Sequence, residues 1–180
     1  MNIADFAKMY MEEKHKGQYR LDGKPYSTHP IAVAELVKHY KKSSNINRLI
    51  AAAYLHDILE DTDTTYYDLV DSFGYDIASI VLELTSIKEM SRELGKHKYL
   101  AFKLKHMTNW ALVLKLCDRL HNIEDMEGFD FSKKKKYIKD TEHIIRYIID
   151  HRNITDTHFR IINDLIIACN EQKENMKKSK

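Results

Sequence analysis

The sequence predicts an all-α domain, on three grounds. Apolar residues recur at three- and four-residue spacing through nearly every segment, the period of a half-buried helix. Only five Gly and two Pro occur in 180 residues, too few for the tight turns of a β-sandwich and in keeping with helices joined by short loops. No internal repeat or linker divides the chain, and its length suits one domain with a single core. The expected domain spans residues 1–172, followed by a frayed basic tail over 173–180.

Ala4, Phe6, Met9, Tyr10 and Lys14 give a first helix that ends before Gly17. The stretch from Gly17 to Thr28 holds Gly23 and Pro25 and is the longest irregular piece of the first half. Ser27 or Thr28 can cap a second helix, with Pro30 tolerated in its first turn and Ile31, Val33, Ala34 and Val37 on its apolar face. Asn45 or Asn47 can start a third, where Leu49, Ile50, Ala52, Ala53 and Leu55 run into His56-Asp57. Small alanines let helices approach closely, which places that pair at the centre of a bundle. Thr62-Asp63-Thr64-Thr65 is a cap-rich break before a short helix ending at Phe73-Gly74. Ile77, Ile80, Val81 and Leu84 mark the next helix, and Lys88 to Met107 is a charged segment that Leu94, Tyr99 and Phe102 bury only in part. Trp110 to Asn122 is strongly apolar, as a central helix should be, and carries Asp118. Two long helices close the chain, one through Ile138, Ile144, Ile145, Ile148 and Ile149, the other through Phe159, Ile161, Ile162, Leu165, Ile166 and Ala168.

Composition narrows the class of function. Hydrophobic residues are 43% and charged residues 31%, a soluble globular balance. A net charge of +2 gives no reason to expect a nucleic-acid partner, and Lys133-Lys134-Lys135-Lys136 fits the exposed start of a helix. No secretory leader is expected at Met1-Asn2-Ile3-Ala4-Asp5, nor any membrane span. Cys117 and Cys169 lack metal-type spacing, so free thiols in a reducing cytoplasm are expected.

The chemistry concentrates around His56-Asp57. Neighbours on a helix lie about 100° apart, so an imidazole and a carboxylate there can close on one ion. His29 upstream and Asp118 downstream can supply two more ligands. A mixed His and carboxylate set suits a first-row divalent ion used in hydrolysis, not a thiolate-rich structural zinc. The pair alone would equally fit an ion pair on a helix surface or a satisfied core histidine. Burial after an alanine-rich run, and a carboxylate breaking the apolar stripe at Asp118, favour the metal. Glu60 and Asp61 follow within about one turn, at a helix end where acids oppose the macrodipole, and can orient or deprotonate a water. Arg20, Lys24 and Asn122 are the nearest polar groups in sequence to these ligands and are candidate substrate contacts.

Four ordered stretches carry a family likeness: His15-Lys16-Gly17-Gln18-Tyr19-Arg20, Gly23-Lys24-Pro25-Tyr26-Ser27-Thr28-His29-Pro30, Leu55-His56-Asp57-Ile58-Leu59-Glu60-Asp61-Thr62 and Lys115-Leu116-Cys117-Asp118-Arg119-Leu120-His121-Asn122. With Phe73-Gly74 they make the chain resemble the HD-domain hydrolases of the RelA/SpoT type, from about Ala4 to Asp125. The resemblance implies an HD-domain helical bundle holding one divalent ion, usually Mn²⁺, through His29, His56, Asp57 and Asp118. It implies that Glu60 and Asp61 act on the attacking water and that the substrate is a phosphorylated nucleotide. The implied reaction removes the 3′-pyrophosphate from ppGpp or pppGpp, the alarmones of the stringent response. Departures fall at Leu21, where the family's residue is basic, and at Glu124-Asp125, where it generally carries Arg then Thr or Asp. Lys88, Arg92, Lys96, Lys98, Lys103 and Lys105 are alternative sources of phosphate-binding charge. Other readings are a phosphohydrolase of another nucleotide such as NADPH and a silent nucleotide-sensing module; association into a homo-oligomer stays open.

Overall fold

The computed structural model describes residues 1–178, without the side chains of Lys96, His97 and Ala101. Ser179 and Lys180, the end of the expected tail, and the Lys96 side chain lie outside the described residues.

Eleven helices form among the described residues, and their ends follow local chemistry. Asn2 caps α1 (Ile3–Lys14) in a capping box with Asp5. A loop with an isolated antiparallel bridge between Tyr19 and Pro25 leads to α2 (Thr28–Tyr40). The third helix is α3 (Ile46–Leu55), and α4 (Ile58–Asp61) is a single turn. Thr65 caps α5 (Tyr66–Phe73) in a second capping box with Asp68. Gly74, at φ 80°, joins it to α6 (Tyr75–Leu84) in a conformation only glycine adopts easily.

Gly95, at φ 77°, splits the charged segment into α7 (Lys88–Leu94) and α8 (Lys96–His106). Its burial differs from expectation. Leu94 and Phe102 are exposed, whereas Tyr99, Leu104 and Met107 are buried. Thr108 caps α9 (Asn109–Glu124), Asp130 caps α10 (Phe131–His151), and α11 (Asp156–Lys178) closes the chain. The expected frayed tail is instead helical to Lys178, because Lys173 pairs with Glu142 of α10 and Met176 packs on the core.

The bundle centres on α9, which packs against α2, α6 and α11, while α3 packs against α1 and α2. Ala51, Ala52 and Ala53 are fully buried, as the close approach of those helices requires. Leu112, Leu114, Leu116 and Leu120 of α9 are each at most 1% exposed, so any polar group on this helix's inner face needs a specific partner. No described helix is long and apolar enough to cross a membrane.

Candidate metal centre

His29 enters from the first turn of α2, His56 and Asp57 from the junction of α3 and α4, and Asp118 from the middle of α9. His56-Asp57 does not lie on one continuous helix. The backbone leaves the α-helical ladder after Leu55 and resumes at Ile58, with Asp57 at φ −102° and ψ −1°. No Gly or Pro marks this break.

The three most buried of these residues converge, with ligand atoms of His29, His56 and Asp118 all within 4.8 Å of one another. The two Nε2 atoms of His29 and His56 are 3.2 Å apart. Asp118 Oδ1 lies 3.3 Å from His29 Nε2 and 3.9 Å from His56 Nε2. Asp57 Oδ2 completes the group at 3.0 Å from His56 Nε2 and 3.6 Å from His29 Nε2. Asp57 is the most open member, its side chain 23% exposed.

Hydrogen bonds assign the tautomers. His56 Nδ1 faces the Ala53 carbonyl at 2.8 Å, which can only accept, so neutral His56 keeps a bare Nε2. His29 Nδ1 meets His121 Nδ1 at 2.8 Å. Burial, then the neighbouring His29 and Arg20, push His121 down to about 4, so it is neutral and can accept from His29. With both rings neutral, two bare ring nitrogens and two carboxylates face one point, which is repulsive unless a proton or a metal cation lies among them. This donor set fits a divalent ion.

The electrostatics agree. Burial alone would depress His56, yet the charges of Asp57 and Asp118 raise it to about 9. Asp57 is held below the usual carboxylate range: burial opposes this, but His56 outweighs it. Asp118 is likewise held well below that range: burial opposes this, but Lys115 and the two histidines outweigh it. The site is a trap for positive charge.

Further contacts fix the members of the cluster. Lys115 Nζ donates to Asp118 Oδ2 at 2.9 Å and Asn122 Nδ2 to Asp118 Oδ1 at 2.6 Å. The Tyr26 hydroxyl lies 2.6 Å from Asp57 Oδ2 and 2.8 Å from Asp61 Oδ2. Burial and the charge of Asp57 raise the Tyr26 phenol far above its ordinary value, so it stays protonated. Tyr26, His121 and Lys115 were not singled out from the sequence. Spacing could have found the last two, since each lies three residues from Asp118 on one helix.

Glu60 and Asp61 part company. Asp61 reaches the ligands through Tyr26, whereas Glu60 Oε1 accepts the Ser86 N–H at 2.7 Å. The spacing that put Glu60 one turn from His56 assumed an unbroken helix, and the α3–α4 break turns it toward the α6–α7 loop instead.

A cavity of about 220 Å³ adjoins the cluster, lined by Tyr19, Arg20, Leu21, Tyr26, Asn122, Asp125 and Phe129 among others. Asn122 bridges the two regions, because its Oδ1 accepts from Arg20 at 3.2 Å while its amide holds Asp118. Arg20 Nε also pairs with Asp125 at 3.1 Å. Lys24 sits at the rim, 2.7 Å from Asp22 and 3.5 Å from Asp125. Leu21 and Asp125 therefore do border the cavity. Glu124 is not part of that lining: burial, then the charges of Asp164 and Glu171 on α11, raise its carboxyl. Gly128 forms part of the wall by packing against the Leu21–Asp22 backbone, and a Cβ there would come within 2.7 Å of Leu21. Lys103 is not available as a phosphate ligand, since its ammonium caps the Leu84 and Thr85 carbonyls that end α6.

Comparison with known proteins gives consistent matches. The HD domain family profile matches residues 7–146. The guanosine-3′,5′-bis(diphosphate) 3′-pyrophosphohydrolase MESH1 of Danio rerio is 31% identical over 144 residues, covering 76% of this chain and 79% of that protein. The guanosine-3′,5′-bis(diphosphate) 3′-pyrophosphohydrolase of Aquifex aeolicus is 35% identical over 144 residues, covering 75% of this chain and 19% of that much longer protein. Among solved structures, one described as a metazoan ortholog of SpoT that hydrolyzes ppGpp superposes with a TM-score of 0.76 over 97% of this chain and 96% of that chain. At 21% identity it supports the fold alone.

Proposed function

The chain belongs to the HD domain family, and from that premise we propose that it is a metal-dependent hydrolase removing the 3′-pyrophosphate from ppGpp or pppGpp. The observation that carries this is the convergence of His29, His56, Asp57 and Asp118 beside a cavity joined to them through Asn122. Relatives named for this activity, at 31% and 35% identity, support the same substrate class.

In this reading His29, His56, Asp57 and Asp118 hold one Mn²⁺, which supplies Lewis-acid activation of water and charge stabilisation at phosphorus. Asp61 takes the proton of the attacking water. Glu60 holds the α6–α7 loop through Ser86 and so shapes that side of the site. Tyr19 and Phe129 offer faces for a base, and Arg20, Lys24 and Asn122 the polar contacts to the nucleotide. The catalytic unit is residues 1–172, continued by the rest of α11. Two buried free cysteines fit a cytoplasmic enzyme.

A panel of nucleotides incubated with protein and Mn²⁺ tests the substrate, with the released product identified. Pyrophosphate from ppGpp, together with GDP, is the expected result. Orthophosphate from NADPH with no pyrophosphate from ppGpp would assign a different nucleotide. No release from any member of the panel would favour a sensing module.

A further inference from the structure

We propose that Tyr26 is a positioning residue that holds Asp61 in register with the metal-facing oxygen of Asp57. This rests on the metal-dependent hydrolase reading above and adds a residue to its machinery. The hydroxyl is 2.6 Å from Asp57 Oδ2, the same oxygen that faces His56 and His29, and 2.8 Å from Asp61 Oδ2.

The ring itself is held on two sides. It stacks on His15 with centroids 4.6 Å apart and meets the His29 ring edge-on at 6.2 Å. From the same wall, Gln18 Nε2 donates to the Asp61 carbonyl at 2.9 Å, and Gln18 Oε1 is 2.8 Å from His15 Nδ1. Backbone and carboxylate of Asp61 are thus both tied to the α1–α2 loop, across the α3–α4 break from the ligands.

A phenol has one proton and two carboxylates compete for it here. Tyr26 keeps that proton and turns its O–H toward whichever carboxylate carries more negative charge. With an ion drawing on Asp57, that is Asp61, whose Oδ1 then stays open to accept from water. The hydroxyl thus orients Asp57 before the ion binds and places Asp61 once it has.

The experiment compares Tyr26→Phe, Asp61→Ala and the double variant with the parent protein. Tyr26→Phe keeps both ring contacts and removes only the hydroxyl. Mn²⁺ affinity is measured directly from the free-ion electron paramagnetic resonance signal, and kcat and KM at saturating Mn²⁺ with the nucleotide the parent hydrolyses. Tyr26→Phe should weaken Mn²⁺ binding about tenfold and lower kcat about 10- to 100-fold with KM nearly unchanged. Asp61→Ala should leave Mn²⁺ affinity within about threefold, since Tyr26 then serves Asp57 alone, and the double variant should show the kcat of Asp61→Ala.

Unchanged Mn²⁺ affinity in Tyr26→Phe, or kcat losses that multiply in the double variant, would overturn the assignment. So would an Asp61→Ala protein that loses Mn²⁺ affinity tenfold, because Asp61 would then act on the ion itself; this arm decides even if Tyr26→Phe fails to fold. A parent that hydrolyses no nucleotide, while the Mn²⁺ affinities move as stated, would refute the substrate and leave the role of Tyr26 standing.

Discussion

Replacing Asp57 by Asn tests the metal centre most directly, because Asn preserves volume and removes one ligand charge. In the parent, an ion that binds only the folded state stabilises it by about 2.7 kcal/mol at a concentration of 100 Kd. Unfolding entropy of about 2.1 cal/mol/K per residue over 180 residues gives about 380 cal/mol/K. The melting temperature should therefore rise by about 7 °C on adding Mn²⁺. Asp57 Oδ2 lies 3.0 Å from His56 and 3.6 Å from His29, so losing its charge should weaken binding at least about a hundredfold. The same Mn²⁺ then stands near Kd, and the gain falls to about 0.4 kcal/mol, or about 1 °C. The readout is the difference between melts with and without Mn²⁺, since the metal-free variant also loses the partner of His56. An Asp57→Asn protein that keeps the full 7 °C shift and full hydrolysis would refute the assignment of Asp57 as a ligand.

Proton linkage at His56 gives a second test. Its folded-state value of about 9 lies above the ordinary 6.5, so in the metal-free protein its stabilisation is full below about pH 6.5 and is lost as pH rises through 9, by about 3 kcal/mol. Mn²⁺ must displace that proton, so its affinity should rise up to about tenfold per pH unit across the same window; calorimetric titrations showing a flat profile would contradict this. Asp61→Asn should lower kcat about 10²-fold, whereas Glu60→Gln, which preserves the acceptor for Ser86, should cost less than about tenfold; steady-state kinetics showing the reverse order would return the water-handling role to Glu60. Asp125→Asn releases Arg20 and Lys24 from a carboxylate and should lower KM for a polyphosphorylated nucleotide about fivefold, while Glu124→Arg, directed at α11, should leave KM unchanged; a KM that responds to Glu124 and not to Asp125 would show the cavity to be misassigned.

Much of this was legible because helix capping and apolar period are local. Thr65 with Asp68, and the apolar run from Leu112 to Leu116, specify their elements without help from distant residues. The four residues of the converging cluster were legible because each interrupts an apolar stretch or sits in a motif. What escaped depends on helix phase at element ends. The α3–α4 break carries no Gly or Pro, and it turns Glu60 toward the Ser86 N–H, a contact its spacing did not suggest. Asp125 leaves the helical ladder at φ −102° and ψ 55°, so two adjacent acids point to opposite sides, Asp125 to the cavity and Glu124 to α11. Tyr26 was hidden for another reason, since its partners lie 31 and 35 residues away and only the folded chain brings them together.

Gly128 bears on how such a cavity can change. It packs against the Leu21–Asp22 backbone and the Leu21 Cβ so closely that an added Cβ would lie 2.7 Å from Leu21, leaving no room for any side chain. Wall separation is therefore quantised: it stays at the glycine spacing or jumps by the width of a methyl group, carrying the Arg20–Asp22 strip outward with it. Chemistry at the rim, through residues such as Leu21 and Asp125, can drift one substitution at a time. Lineages sharing this wall should thus diversify in which nucleotide they prefer well before they diversify in how large a nucleotide they admit.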